Sequence, residues 1–431
     1  MRFISVQQAL DKKRGTVDLR GWVYQLRKLK DKIFIVLRDS SNIIQCIIEE
    51  KSKTWKDANK LTIESSIEIS GILRQDKRAP TGYELLISRL NIIHIAEKYP
   101  IPVRKQYLSP ELLLDWRHLW LRDPKMQSSL KVRSTVFRAI HEYCRSKGFY
   151  EFQSPILTSG AAEAGPSQFK VDFFGKPLYL TQTWQFYAEA GMFSLEKLYT
   201  IAPSFRAERS KTSRHLAEYW HAEVEAAWFN LDNLIDFSEG LVKHIIKRVL
   251  EKNKHELEVL KRDTKSLQTA IKKKWPRITY DQALKLLKEK KKMKISWGKD
   301  LRTIEEDRLT ELFDTPVFVT HYPKEIMAFY KPRDKKNPKT ARCFDLLAPE
   351  GYGELIGGSE RDTNIKELIK SLKAAGEKVE NYKFYLDTRR YGSIPHSGFG
   401  LGVERVISWL CKLEHIRDAI PFPRTMARYK P

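Results

Sequence analysis

The chain has 431 residues, 42% of them apolar and 11% aromatic, which is the composition of a folded globular protein and more chain than one core ordinarily organises. It contains no run of eighteen apolar residues, and its first residues, MRFISVQQALDKKRG, lack an apolar block followed by small ones, so neither a spanning helix nor a signal peptide is expected. Lys and Arg number 78 against 54 Asp and Glu, a formal charge of +24, which points to a polyanionic partner, with nucleic acid ahead of an anionic membrane surface.

In chain order, residues 17 to 95 read as five strands: VDLRGWVYQL, KIFIVLRD, NIIQCIIEE, SSIEISGIL and YELLISRLNIIHI. Each is rich in β-formers and bounded by turn signals, and the charged stretch KSKTWKDANKL between the third and fourth reads as a short helix. Residues 1–98 are therefore expected to form an OB-type barrel, a fold that often binds single-stranded nucleic acid. Any small β-barrel fits the same pattern, because fold does not fix function. YPIPVRKQYLSP follows, with three prolines, and marks a hinge over residues 99–120.

Residues 121–431 make the second domain. Val132, Val136, Phe137, Ile140, Tyr143 and Cys144 recur at helical spacing, with Gly148 as C-cap. FYEFQSPIL then reads as a strand which Pro155 confines to an edge or an interface. From about 230 to 307 the pattern is helical and charged. Residues 251–295 alone carry 15 Lys and Arg against 6 Asp and Glu, mostly as a solvated face with some lysines within reach of RNA. Cys46, Cys144, Cys343 and Cys411 lie far apart without C-x-x-C spacing, so neither a disulfide framework nor a zinc site follows, and a reducing cytoplasm fits.

Three stretches concentrate charge or glycine. In RAERSKTSRHLAEYWHAEVE, Arg206 to Glu225, strand alternation puts Trp220, Ala222, Val224, Ala226 and Trp228 on a core face and His221, Glu223 and Glu225 on the other. Arg206 and Glu208 likewise share a face of the incoming strand. Surface ion pairs contribute under about 1 kcal/mol each, so stability is a weak reason for such density. A phosphate-rich ligand is a better one, since Arg binds phosphate bidentately and carboxylates hold Mg²⁺ or an amino group. DLLAPEGYGELIGGSER sets Asp345 and Glu354 near Arg361, with Gly353, Gly357 and Gly358 keeping the backbone bare. YGSIPHSGFGLGVERVISWL runs from glycines into a helix with Val403, Val406, Ile407 and Leu410 on one side. Its glycines are spaced G-x-G-x-G, and no G-x-x-x-x-G-K-[ST] occurs, which disfavours Rossmann and P-loop sites. Structural ion pairing accounts for any one of Arg206, Glu354 and Arg405, but poorly for all three together.

These motifs resemble the class II aminoacyl-tRNA synthetases of the aspartate, asparagine and lysine subgroup, and most of all its asparaginyl members of archaeal and eukaryotic type. The segment ending at Pro155 resembles motif 1, the dimer-interface element; FRAERSKTSRHLAEYWHAEVE resembles motif 2; GFGLGVERV resembles motif 3. RHLAEYW, APEGYGELIGGSER and LDTRRYGSIPHSGFGLGVER match the asparaginyl type. The resemblance implies an α+β fold, an OB barrel followed by an antiparallel sheet flanked by helices, with ATP and Mg²⁺ as cofactors. The partners it implies are asparagine, tRNA(Asn) and a second copy of the chain in a homodimer.

By the same resemblance Arg206 holds the α-phosphate, Glu208 meets the adenine, and Arg214 and His215, followed by Leu216, line the outer phosphates. Arg405 stacks on the adenine and pairs with the γ-phosphate, and Glu354 with Asp345 carries the metal. Where the aspartyl pattern has a metal-binding Ser, this chain has Gly357. Glu163 and Gln185 bind the α-amino end, Arg361 the side-chain oxygen, and Glu223 the carboxamide NH₂. The aspartyl enzymes place a lysine three residues after the glutamine matching Gln185, and Ala188 stands there instead. A buried carboxylate without that cation costs several kcal/mol, which favours asparagine over aspartate. Trp184 replaces a residue that is small in relatives; its ring either reshapes the pocket or enters the core. In the barrel, Phe34 and Gln45 fall where relatives read the central anticodon base, although a phenylalanine in KIFIVLRD is commonly core. Arg27, Lys28 and Lys30 form a basic loop aimed at phosphates. The rivals are an aspartyl enzyme charging one or two tRNAs, a non-charging RNA-binding relative, and an asparagine synthetase relative, which has no need of the barrel.

Overall fold

Alternation of burial along short β-branched strands builds the first part of the chain. The computed structural model describes residues 2–102, 108–160, 168–208 and 213–431. These divide into two compact units, Met1–Trp116 and Arg117–Pro431. The first is a closed barrel of β1 (Gly15–Lys28), β2 (Lys32–Arg38), β3 (Ile43–Glu49), β4 (Ser66–Gln75) and β5 (Tyr83–His94), in the order β1-β2-β3-β5-β4. Ile33, Ile35, Leu37, Ile44, Cys46 and Ile48 fill its interior with Val17, Leu19, Ile67 and Leu85. Phe34 is only half-buried and stands between two core residues, so it points outward. KSKTWKDANKL forms only one helical turn, Trp55–Ala58. A second helix that the strand reading does not anticipate, Val6–Lys12, starts at a capping box between Ser5 and Gln8 and buries Val6 and Ala9.

The second unit carries β6 (Tyr150–Glu151), β7 (Leu157–Thr158), β8 (Lys170–Phe173), β9 (Lys176–Leu180), β10 (Lys197–Phe205), β11 (Glu218–Ala227), β12 (Arg277–Thr279), β13 (Val317–Thr320), β14 (Cys343–Ala348), β15 (Gly353–Glu360) and β16 (His396–Gly402). Eight of them form one sheet in the order β12-β13-β14-β15-β16-β11-β10-β6, antiparallel except at its two edges, and β7-β9-β8 form a small second sheet. FYEFQSPIL is therefore two strands in two sheets. Pro155, which has no N–H to give a ladder, lies between them, and β6 takes the edge. Within the charged region the helices Leu231–Lys252, Lys254–Val259, Lys265–Lys272, Tyr280–Lys291 and Thr303–Thr310 are interrupted by the edge strand β12.

One face of the large sheet is covered by helices. The helix Pro124–Ser146 buries Val132, Val136, Ile140 and Cys144, and Leu231–Lys252 buries Leu241, Val242 and Ile245. Both pack on Val224, Ala226, Leu346, Ile356, Phe399 and Leu401 of the strands. Trp228 departs from the expected core face. β11 ends at Ala227, and Trp228 takes a left-handed φ of 65° as the chain turns towards the next helix, leaving the indole 61% exposed. The other face of the sheet carries the charges, with the helix Gln185–Leu195 packed over one end of it on Leu198 and Ala227.

Candidate active site

The charged face of β11 lies over the glycines of β16. His221, Glu223 and Glu225 pair with Gly402, Gly400 and Gly398. A Cβ on Gly398 would strike the Glu225 carboxylate, and one on Gly400 would strike the His221 imidazole. The G-x-G-x-G string thus gives three polar side chains room to lie flat across the sheet.

At one end of this strip is a cleft lined by Arg206, Glu208, Arg214, His215, Leu216, Tyr219, His221, Glu354, Gly402, Glu404 and Arg405. All seven residues expected around ATP are brought together there. Arg206 leaves the end of β10, its N–H bonded to the Ala217 carbonyl at 2.9 Å, and its guanidinium lies 5.7 Å from the Tyr219 ring centre. Arg405, on the first turn of the helix Val403–Cys411, donates through Nη1 to the Glu354 carbonyl at 2.9 Å and to Glu354 Oε2 at 2.8 Å. Burial works against the Glu354 charge, yet Arg405 and Arg206 hold the carboxyl low. Burial, then the Arg405 charge, lower the His215 pKa. Arg214 Nη2 donates to Asp307 Oδ1 at 2.6 Å and to the Gly351 carbonyl. Asp307 belongs to the charged helical region, which therefore reaches the cleft.

Asp345 and Glu354 converge, but not on Arg361. A register shift between Leu346 and Leu347 pairs Glu354 with Leu347 and Asp345 with Gly357, so both carboxylates stand on one face. A Cβ on Gly357 would sit 2.9 Å from Glu354 Oε1 and 3.5 Å from Asp345 Oδ1. Burial and then the neighbouring Glu354 push the Asp345 carboxyl well up. Two acids forced together over bare backbone suit a hard divalent cation that takes its other ligands from phosphate and water. Among the described residues no group of three or more His, Cys, Asp or Glu is arranged to hold a metal.

Arg361 lies at the other end of the strip. It pairs with Glu225 through Nε at 3.1 Å and through Nη2, donates from Nη1 to Ser359 Oγ at 2.9 Å, and covers the Tyr330 ring at 5.0 Å. The expectation that Asp345 and Glu354 flank Arg361 is thus corrected: ladder register, not closeness in sequence, decides its partner. Burial pushes the Glu225 carboxyl up to about 8 against the pull of Arg361. Behind this pair Glu189 is fully buried, bonded to Arg389 and, at 2.9 Å, to His396 Nε2. These two outweigh the cost of burial and hold its carboxyl low. Gln185 donates to Glu189 Oε1 at 2.7 Å.

Glu223 is committed elsewhere. It accepts from the Thr183 hydroxyl and, at 2.8 Å, from the Trp184 N–H, tying down the start of the helix Gln185–Leu195. The carboxylate beside Arg361 is Glu225, which sequence reasoning placed on the correct face without a role. The Trp184 ring enters the core with Ala188, Met192 and Leu198, its Nε1 donating to the Phe152 carbonyl at 2.8 Å. Glu163 lies outside the described residues. Glu189, Arg389 and His396 were missed; their signal was charge in stretches that otherwise read as helix or core.

On the barrel, Arg27 pairs with Phe34, and Val36, two residues on from Phe34, pairs with Gln45. Arg27, Phe34 and Gln45 therefore share the outer face. Gln45 donates to Glu84 Oε2 at 3.0 Å. Lys28 ends β1 and donates to the carbonyls of Asn59 and Leu61, a structural use rather than a free phosphate contact; Lys30 is exposed in the turn.

Known proteins are similar to this chain in sequence and fold. The family model for tRNA synthetases class II (D, K and N) matches residues 109–426, and that for an OB-fold nucleic acid binding domain matches residues 17–93. An asparagine–tRNA ligase of Pyrococcus abyssi is 45% identical over 99% of this chain and 98% of its own. The crystal structure of asparaginyl-tRNA synthetase from Pyrococcus horikoshii complexed with asparaginyl-adenylate superposes with a TM-score of 0.94 at 43% identity, each chain fully covered. The Entamoeba histolytica asparaginyl-tRNA synthetase, also with asparaginyl-adenylate, gives 0.89 at 31%, again over both whole chains. With an OB barrel before it and the charged, glycine-floored sheet within it, this chain belongs to the class II tRNA synthetases of the aspartate, lysine and asparagine group.

Proposed function

We propose that this protein ligates asparagine to tRNA(Asn) in two steps through an asparaginyl-adenylate. The observation that carries the reading is the strip itself. Gly398, beside Glu225, and Gly402, beside Arg405, are four residues apart, about 13 Å of strand, so one aminoacyl-adenylate can touch both ends. The 45% identity to curated asparagine–tRNA ligases supports it.

In the first step the asparagine carboxylate attacks the α-phosphorus of ATP and pyrophosphate leaves. No side chain acts as nucleophile; positioning and charge neutralisation do the work. Arg206 holds the α-phosphate as charge builds on it. Glu208 meets the adenine, Leu216 walls it, and Arg405 stacks on it and reaches the γ-phosphate. Arg214 and His215 take the outer phosphates. Asp345 and Glu354 would hold Mg²⁺, which neutralises phosphate charge when bound. In the second step the terminal ribose hydroxyl of the tRNA displaces AMP.

Selectivity follows from the Arg361–Glu225 pair. The guanidinium donates to the carboxamide oxygen, and Glu225, not Glu223, accepts from its NH₂. Gln185, with Glu163, takes the α-amino end. Aspartate would bring a charged carboxylate beside Glu225 in a place where burial already disfavours such a charge, with Ala188 in place of a compensating cation. The outer barrel face of Arg27, Phe34 and Gln45 reads the anticodon, a ring and an amide beside a cation. The exposed apolar residues Tyr150, Ile156 and Leu157, in the motif 1 segment, support docking of a second copy. No helix among the described residues is long and apolar enough to cross a membrane, and the four buried free cysteines suit the cytoplasm. Attachment of labelled asparagine to tRNA(Asn) with ATP and Mg²⁺ tests the reading; aspartate attached in its place would overturn it.

A further inference from the structure

Three elements far apart in the chain meet at Arg214. The first is the segment leading into β11, which carries Arg214 itself. Its backbone is fixed on both sides: the Ser213 carbonyl accepts from the Ile416 N–H at 3.0 Å, and Leu216 packs with Ile416 and Ile420. The second is the short helix Thr303–Thr310, and the third is the turn between β14 and β15. Arg214 Nη2 donates to Asp307 of that helix at 2.6 Å and to the Gly351 carbonyl of the turn, and Nη1 lies 3.7 Å from Glu306 Oε2. We propose that Asp307 is a positioning residue for ATP: it holds the Arg214 guanidinium ready for the outer phosphates, which gives the charged helical region a part in adenylate formation. The inference rests on the ligase reading above, and on Arg214 as a phosphate ligand within it.

The helix is seated for this contact. Glu305 and Leu309 turn inward, Leu309 into a core cluster with Tyr280, Leu287 and Leu347. Asp307, two residues before Leu309, therefore projects from nearly the opposite side. The turn is shaped for it too. Gly353 has a left-handed φ of 63°, and a Cβ there would strike Glu306 Oε2 and come within 2.7 Å of Arg214 Nη1. Bare backbone at Gly353 is what lets the helix and the arginine close over the turn.

Stability is a poor explanation of the contact. Both side chains keep some exposure, 19% for Arg214 and 34% for Asp307, and such pairs add little to folding. What the contact does is remove rotamer freedom from a long side chain whose backbone is already fixed. An arginine held before ATP arrives loses less on binding and keeps its fork aimed. A carboxylate beside polyphosphate would by itself repel the ligand, so Asp307 favours ATP only through the cation it holds.

Asparagine-dependent ATP–pyrophosphate exchange without tRNA tests this, in wild type, Asp307→Asn, Asp307→Glu, Arg214→Ala and Arg214→Ala/Asp307→Asn. The expected result for Asp307→Asn is a KM for ATP raised roughly tenfold, with the KM for asparagine within about twofold and melting unchanged. Asp307→Glu should recover most of the loss, since it keeps the charge. In the Arg214→Ala background, Asp307→Asn should add less than about twofold, because no guanidinium is left to hold. An unchanged KM for ATP in Asp307→Asn overturns the proposal. So does a lowered one, which would make Asp307 a competitor that ATP must displace, and so does a full additional loss in the double variant. A parallel rise in both KM values with lower melting overturns it as well, by making the contact structural. No exchange by wild type with asparagine would overturn the ligase reading, and this proposal with it.

Discussion

Arg206 stands where the end of β10 enters the cleft, so its removal is the sharpest single-residue test of the proposed function. Arg206→Ala should lower pyrophosphate exchange by 10²-fold or more, as losing a donor to developing charge does, while circular dichroism and melting stay near wild type. Activity close to wild type would remove the phosphate assignment. Glu225 gives a test through pH. Its carboxyl titrates near 4.5 when exposed and about 8 in the fold, because burial disfavours its charge. Folding therefore takes up a proton between these values, and the contribution of Glu225 to stability falls as pH rises through that window. Urea midpoints of wild type should drop more steeply than those of Glu225→Gln between about pH 5 and pH 8.5. Parallel declines would contradict the assignment. At this scale the residues that line the cleft were legible because the resemblance of their motifs to a known family singled them out together. The partner of Arg361 was not, since a buried pair 136 positions apart is set by sheet register. Trp184 shows the same limit: its identity raised the question of core or pocket, and only the contacts of the helix Gln185–Leu195 answer it.

The element that organises the site is β16, whose glycines are spacers for the side chains of β11. Gly398→Ala would drive a methyl into the Glu225 carboxylate and disturb its pairing with Arg361. A loss of about 1–3 kcal/mol is expected from overpacking, together with a raised KM for asparagine and a nearly unchanged KM for ATP. Equal effects on both substrates would contradict the division of the strip into two ends. The sequence pattern announced the helix that follows this strand, though not the strand itself, and it announced the barrel strands, because alternation and turn residues are local signals. It merged β6 with β7, since β-forming residues stand on both sides of Pro155 and only pairing reveals two sheets. It passed over β12, because three residues between helices are too few for a period to register. The bulge at Leu346 and Leu347, which aligns Asp345 with Glu354, leaves no mark in composition at all.

For the whole molecule, a charge of +24 predicts that tRNA binding is strongly salt-dependent while adenylate formation is much less so. Phe34→Ala on the barrel should follow the same division. Charging falls roughly tenfold through loss of a stacking platform, and exchange without tRNA is unaffected. Loss of exchange in that variant would contradict the assignment of separate tasks to the two units. The most direct measurement is pyrophosphate exchange with asparagine and with aspartate in parallel, without tRNA. The account predicts robust exchange with asparagine and little with aspartate, because the Arg361–Glu225 pair suits an amide and Ala188 brings no cation. Exchange mainly with aspartate, or none with either amino acid, would contradict it.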